Sequence, residues 1–88
     1  MSINIEVFSA PGCGKCGRAK DVLRQIVGTW PDDVVVWREV NILDELDYAV
    51  EIGVLSTPAI AIDGKLIFTG LPSEKKLRQA IENKVSAV

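Results

Sequence analysis

Cys13 and Cys16 are the only thiols in the chain, with Gly14-Lys15 between them. A thiolate is both a nucleophile toward disulfides and a ligand for soft metals, so the pair offers two chemistries. In exchange, one sulfur attacks a partner disulfide and the other resolves the mixed disulfide that results. In metal binding, both sulfurs would hold one soft ion such as Cu(I). A purely structural bridge is the inert use. Closing so short a loop stabilises by roughly 2 kcal/mol before strain, which makes it a poor staple. The chain has no His at all, which removes imidazole acid–base catalysis, Cys–His nucleophile pairs and most zinc sites.

The elements around the pair favour exchange. Ile3-Asn4-Ile5-Glu6-Val7-Phe8-Ser9 is β-branched and aromatic and reads as a strand, which Ala10-Pro11-Gly12 breaks. The spacing predicts a helix from Cys13, with Ala19, Val22, Leu23, Ile26 and Val27 on one face and Gly28 at the C-cap. Residues three apart on a helix are neighbours, so the two sulfurs can meet. Unpaired amides and the positive end of the helix dipole favour a thiolate at Cys13, below the free value of about 8.5. The cation of Lys15 pushes the same way. Cys16 precedes Ala19 by three and Leu23 by seven, which places it on the buried face. Cys13 lies at the tip, within a partner's reach. The expected roles are therefore Cys13 as attacking nucleophile and Cys16 as resolving thiol.

The remaining elements must hold this loop. Pro31-Asp32-Asp33 makes a turn into a second strand, Val34–Val40. Strand, helix and strand of these lengths form a βαβ unit with parallel strands. A short helix from about Asp44 is expected to turn Leu46, Ala49 and Val50 inward and to end at Gly53. Asp44, Glu45 and Asp47 suit its first turn, where the dipole favours acids. Pro58 opens a third strand, Ala59–Ile62, and Asp63-Gly64 matches a two-residue hairpin turn with positive φ at both positions. The fourth strand, Lys65–Thr69, returns antiparallel. Gly70-Leu71-Pro72 then leads to a last helix, N-capped by Ser73, with Leu77, Ala80, Ile81 and Val85 on one face. Trp30 and Trp37 read as a turn-side anchor and a sheet packer.

The order β-α-β-α-β-β-α defines an α/β fold, a four-stranded mixed sheet flanked by three helices, with residues 1–88 as a single domain. Hydrophobic residues make up 48% of the chain and charged residues 25%, a globular balance. The net charge of −2 comes with no Lys/Arg cluster, which argues against nucleic acid as a partner. No apolar run is long enough to span a bilayer. The opening Met1-Ser2-Ile3-Asn4-Ile5-Glu6 has no basic region and carries an acid, unlike a secretory signal. The expected compartment is the cytoplasm, where a structural disulfide would tend to be opened.

Several segments carry a resemblance to the thioredoxin superfamily over nearly the whole chain. The strand followed by Cys13-Gly14-Lys15-Cys16 resembles the active-site segment, and Glu51-Ile52-Gly53-Val54-Leu55-Ser56-Thr57-Pro58 resembles the approach to its cis-proline. Phe68-Thr69-Gly70 resembles the strand end and glycine beside the groove. In size the chain is most similar to the short glutaredoxin-like thioredoxins of archaea and bacteria, which lack an N-terminal strand and helix of full thioredoxins. The resemblance implies a thioredoxin-like fold and a cis Thr57–Pro58 bond, with Pro58 against the disulfide. It further implies a shallow groove of Gly12, Thr57, Pro58 and Gly70, with Lys15 at its rim, where the Thr57 backbone pairs with a bound substrate segment. Expected partners are client proteins with disulfides and an upstream, thioredoxin-reductase-like enzyme. A monomer is expected, and the exchange needs no dissociable cofactor.

The chain also departs from the pattern of that superfamily. Gly12 stands where full thioredoxins have Trp, and Val7 where they have a buried Asp that assists proton transfer at the resolving thiol. Glu6 and Lys15 are candidates to replace that acid, unless Glu6 is simply a charge on the more thinly covered sheet face. Glutaredoxins have Tyr inside the Cys pair and a Gly-Gly-Asp segment that holds glutathione. Here Gly14-Lys15 and Gly70-Leu71-Pro72-Ser73 take those places. Small copper-carrying domains also have an early strand–loop–helix with this Cys spacing. They carry Met two residues before the first Cys, where this chain has Pro11, and follow the order β-α-β-β-α-β.

Overall fold

The computed structural model describes residues 2–31 and 33–86. Asp32 of the expected turn and Met1 of the opening segment lie outside the described residues. The elements are β1 (Ile3–Ser9), α1 (Cys16–Val27), β2 (Val35–Asn41), α2 (Leu46–Ile52), β3 (Ala59–Ile62), β4 (Lys65–Thr69) and α3 (Glu74–Ser86). This is the expected order, and it differs from that of the copper-carrying domains.

The strands form one sheet in the order β2-β1-β3-β4. β1 is central. It pairs in parallel with β2, from Ile3↔Val35 to Ser9↔Asn41, and antiparallel with β3, from Ile5↔Ile62 to Phe8↔Ala59. β3 and β4 form the expected hairpin, with Asp63 at φ 52 and Gly64 at φ 81 in the turn. Positive φ at both central positions matches the right-handed twist of the flanking strands.

Alternation along β1 splits the core in two. Ile3, Ile5 and Val7 face α1 and α3, packing with Ala19, Leu23 and Ile26 of α1 and Leu77 and Ile81 of α3. Phe8 faces the other way, with Val40, Ala59, Ala61 and Ala49 of α2. Ala49 is the α2 member of this second cluster, with Ala59 and Ala61 contributed by β3. Trp30 and Trp37 pack at the margin of the first cluster. The hydroxyl of Ser73 accepts from the Lys76 N–H at 3.2 Å and caps α3 as expected.

Two helices differ from expectation. α1 begins at Cys16, three residues later than predicted, with Lys15 as N-cap. Gly12, Gly14 and Gly17 lower the helical preference of this stretch, and Gly12 turns the chain at φ 79. α2 begins at Leu46, and its phase is rotated. Leu46 and Val50 point outward, 56% and 66% exposed, while Ala49 is buried and Tyr48 and Ile52 are half-buried. The inward stripe is Glu45, Tyr48, Ala49 and Ile52, because Glu45 and Tyr48 are drawn to charged groups on the sheet. No helix among the described residues is long and apolar enough to cross a membrane.

Candidate active site

The loop from Ala10 to Lys15 leaves the carboxyl end of β1 and delivers both sulfurs to the start of α1. Cys13 and Cys16 are joined in a disulfide, with their Cα atoms 5.5 Å apart. Cys13 lies in the loop, where its N–H donates to the Ala10 carbonyl at 3.2 Å. Cys16 is the first residue of the helix. Cys16 is 5% exposed, whereas Cys13 is half-buried.

The start of α1 suits an anion. No side chain caps it, and its first turn carries no acid. Its first N–H groups therefore meet no competing carboxylate. The late start of α1 leaves Cys13 in front of these amides rather than within the first turn. That is where an anion binds at a helix N-terminus.

The second loop comes from the neighbouring strand. Because Phe8 pairs with Ala59, the end of β1 lies beside the start of β3, and Pro58 follows the same ladder to the same end of the sheet. The Thr57–Pro58 bond is cis, as the resemblance implies. Pro58 is buried and Thr57 half-buried. The Gly70 N–H donates to the Pro58 carbonyl at 2.7 Å, which ties the end of β4 to this loop. Gly70 takes φ 92, and a Cβ built on it would meet no atom within 4 Å. Glycine is therefore needed for its backbone angle rather than for space. Gly12 and Lys15 are exposed on the first loop.

Glu6 does not belong to this end of the site. It lies on the α2 face, the side of the sheet away from α1, and is 7% exposed. It accepts from Arg38 Nη2 at 2.7 Å and Nε at 3.1 Å, and from the Tyr48 hydroxyl. Arg38 reaches on to Glu45 at 3.1 Å. Alternation explains the placement: Val7 and Ser9 face α1, so Glu6 cannot. Glu6 is thus the charge on the thinly covered face and not a partner of Cys16. The hydrogen bond to Glu6, followed by burial, raises the Tyr48 phenol above its ordinary value. A raised value in the folded state contributes stability that is complete below the unfolded value and lost as pH rises through the folded one. Urea midpoints measured across the alkaline range are expected to fall for the parent protein. Tyr48→Phe should lack the Tyr48 part of that fall.

The sequence reading missed a second network, which lies on the α1 face. The Ser9 hydroxyl donates to Glu39 Oε2 at 2.7 Å, and Lys20 Nζ lies 3.1 Å from the same oxygen. Period-two alternation from Val35 and Trp37 put Glu39 on that face, and that was the signal available. The Ser9 hydrogen bond and then the Lys20 contact hold the Glu39 carboxyl below the usual carboxylate value.

A thioredoxin-domain family model matches residues 3–82. The chain belongs to the thioredoxin family. It is 35% identical to a probable thioredoxin of Methanothermobacter thermautotrophicus, over 97% of this chain and 99% of the relative. It is 32% identical to a thioredoxin of Methanocaldococcus jannaschii, over 94% of this chain and 96% of the relative. A protein disulfide oxidoreductase from Aeropyrum pernix superposes with a TM-score of 0.83 at 23% identity, covering 98% of this chain and 38% of that one. This last likeness shows the fold. As a thioredoxin-family protein with a bridged Cys13–Cys16 pair, the chain is a thiol–disulfide oxidoreductase whose partners are of the disulfide-bearing protein kind.

Proposed function

We propose that this protein reduces client disulfides, with Cys13 as attacking nucleophile and Cys16 as resolving thiol. The observation that carries the reading is the asymmetry of the pair: a reachable Cys13 before an uncapped helix start and a buried Cys16 within it. The Cys13 thiolate attacks a client disulfide, forming a mixed disulfide and releasing one client thiolate. The Cys16 thiolate then attacks the Cys13 sulfur, closing the Cys13–Cys16 bond and releasing the second client thiolate. Two electrons pass to the client, and protons from water neutralise its thiolates.

Gly12, Lys15, Thr57, Pro58 and Gly70 form the groove that receives the client segment. The clustering of Pro58 and Gly70 through a 2.7 Å bond supports this, as does the shared end of the sheet. An upstream reductase of the thioredoxin-reductase kind restores the dithiol. The protein acts as a monomer in the cytoplasm, where thiols are kept reduced.

The test is the oxidised fraction of purified protein across a graded dithiothreitol redox buffer, read by thiol trapping and mass. A reversible two-electron transition near or below the cytosolic poise supports a reductant. A pair that forms no bridge at any potential would sink the reading, and soft-metal binding would be examined next.

A further inference from the structure

The resolving step sets a requirement that the two cysteines do not meet by themselves. Cys16 must lose its proton before its sulfur can attack, yet it is 5% exposed beside Ala19 and Leu23, and apolar burial holds a thiol protonated. We propose that the Lys20–Glu39 ion pair, steadied by Ser9, sets the protonation of Cys16 during resolution. The inference rests on the reading of Cys16 as the resolving thiol.

Cys16 and Lys20 are four positions apart, so the two lie one turn apart on one side of α1. Long helical side chains lean back over the preceding turn, which carries the Lys20 stem toward the turn that holds Cys16. Its ammonium meets Glu39 Oε2 at 3.1 Å, and the Ser9 hydroxyl meets the same oxygen at 2.7 Å. In the β1–β2 ladder Glu39 stands opposite Val7, on the sheet face that α1 covers. Ser9 precedes Cys13 by four residues and Lys20 follows Cys16 by four, so the network straddles the disulfide.

The other charged groups near this end are engaged or exposed. Lys15 before α1 and Arg18 on it are exposed, and Asp21 pairs with Arg24 at 3.3 Å. On α3, Glu74 and Arg78 approach each other at 3.9 Å. Glu6 and Arg38 lie on the far face. Among the described residues of β1 and β2, Glu39 is the one carboxylate on the α1 face.

Lys20 and Glu39 are positioning residues and form no bond with the client. The ammonium favours the Cys16 thiolate, and the carboxylate opposes it and fixes the ammonium in place. The Glu39 side chain is 43% exposed, so the carboxylate that fixes the ammonium is itself in contact with water. The Ser9 hydrogen bond and then the Lys20 contact hold the Glu39 carboxyl below the usual carboxylate value.

The test reads Cys16 alone in a Cys13→Ser background, from the pH dependence of its alkylation by iodoacetamide. Glu39→Gln removes the opposing charge and is expected to lower the apparent pKa of Cys16 by about one unit. Lys20→Gln leaves the carboxylate uncompensated and should raise it by about one unit. The double variant should return close to the parent, and Lys20→Arg, which keeps the charge, should stay there. A loss of packing would move both single variants the same way, so shifts of one sign, or none, would overturn the proposal. The dithiothreitol titration of the protein with both cysteines separates the two levels. A reversible bridge with an unmoved Cys16 refutes the role of the pair alone. The absence of any bridge removes the resolving step and the proposal with it.

Discussion

Cys13→Ser is expected to abolish reduction of a client disulfide, whereas Cys16→Ser should leave attack intact and trap the mixed disulfide. The difference follows from burial and position. Cys13 is half-buried in the loop ahead of α1, and Cys16 is enclosed at the first turn. A partner sulfur can therefore reach Cys13 in line, but not Cys16. Without Cys16 the client remains attached to Cys13, because no second thiolate lies close enough to displace it. Turnover of a model disulfide protein, together with non-reducing electrophoresis, reads both effects. Recovery of the same covalent complexes through Cys16 in the Cys13→Ser protein would reverse the assignment of roles.

The second large effect concerns stability. Phe8→Ala is expected to cost about 3–5 kcal/mol, read from urea unfolding midpoints. Phe8 is fully buried and is the largest of the buried side chains in its cluster, where Ala49, Ala59 and Ala61 supply little volume. Its ring lies 6.0 Å from that of Tyr48, so it also anchors α2. With seven residues, α2 is too short to hold its shape without such packing. Phe8→Leu keeps most of the volume and should cost much less. If Phe8→Ala were as stable as Phe8→Leu, the second core would not depend on this ring. Because α2 runs directly into the loop that bears Pro58, limited proteolysis should cut the Phe8→Ala protein first near residues 43–57.

Much of this architecture was legible because it is local. The alternation of Ile3, Ile5 and Val7, the Asp63-Gly64 turn and the Ser73 cap each depend on residues close in sequence. The same holds for the Cys pair at a strand-to-helix turn. What failed was decided at a distance. The inward face of α2 was assigned to Leu46 and Val50 by hydropathy, but Tyr48 and Glu45 are pulled toward Glu6 and Arg38 of the sheet. Charge pairing across elements outweighed the burial of two aliphatic side chains. The apolar period runs back to Cys13 and says nothing about where Gly12 and Gly14 stop the helix. Glu6 was a candidate partner of Cys16 only while its face was unassigned. The Ser9–Glu39–Lys20 network joins residues 19 and 30 positions apart, and no window along the chain contains it.

The pairing of Phe8 with Ala59 has a consequence for variation. Ala10–Lys15 and Gly53–Thr57 lie far apart in the chain, yet strand register sets their mutual alignment. A slip of one residue would offset the loops by about 3.3 Å and turn Phe8 to the wrong side of the sheet. The ladder serves as a ruler that the buried ring locks at one mark. Residues beyond the ruler can then change in size and charge, and with them the choice of partner, without disturbing the spacing that exchange requires.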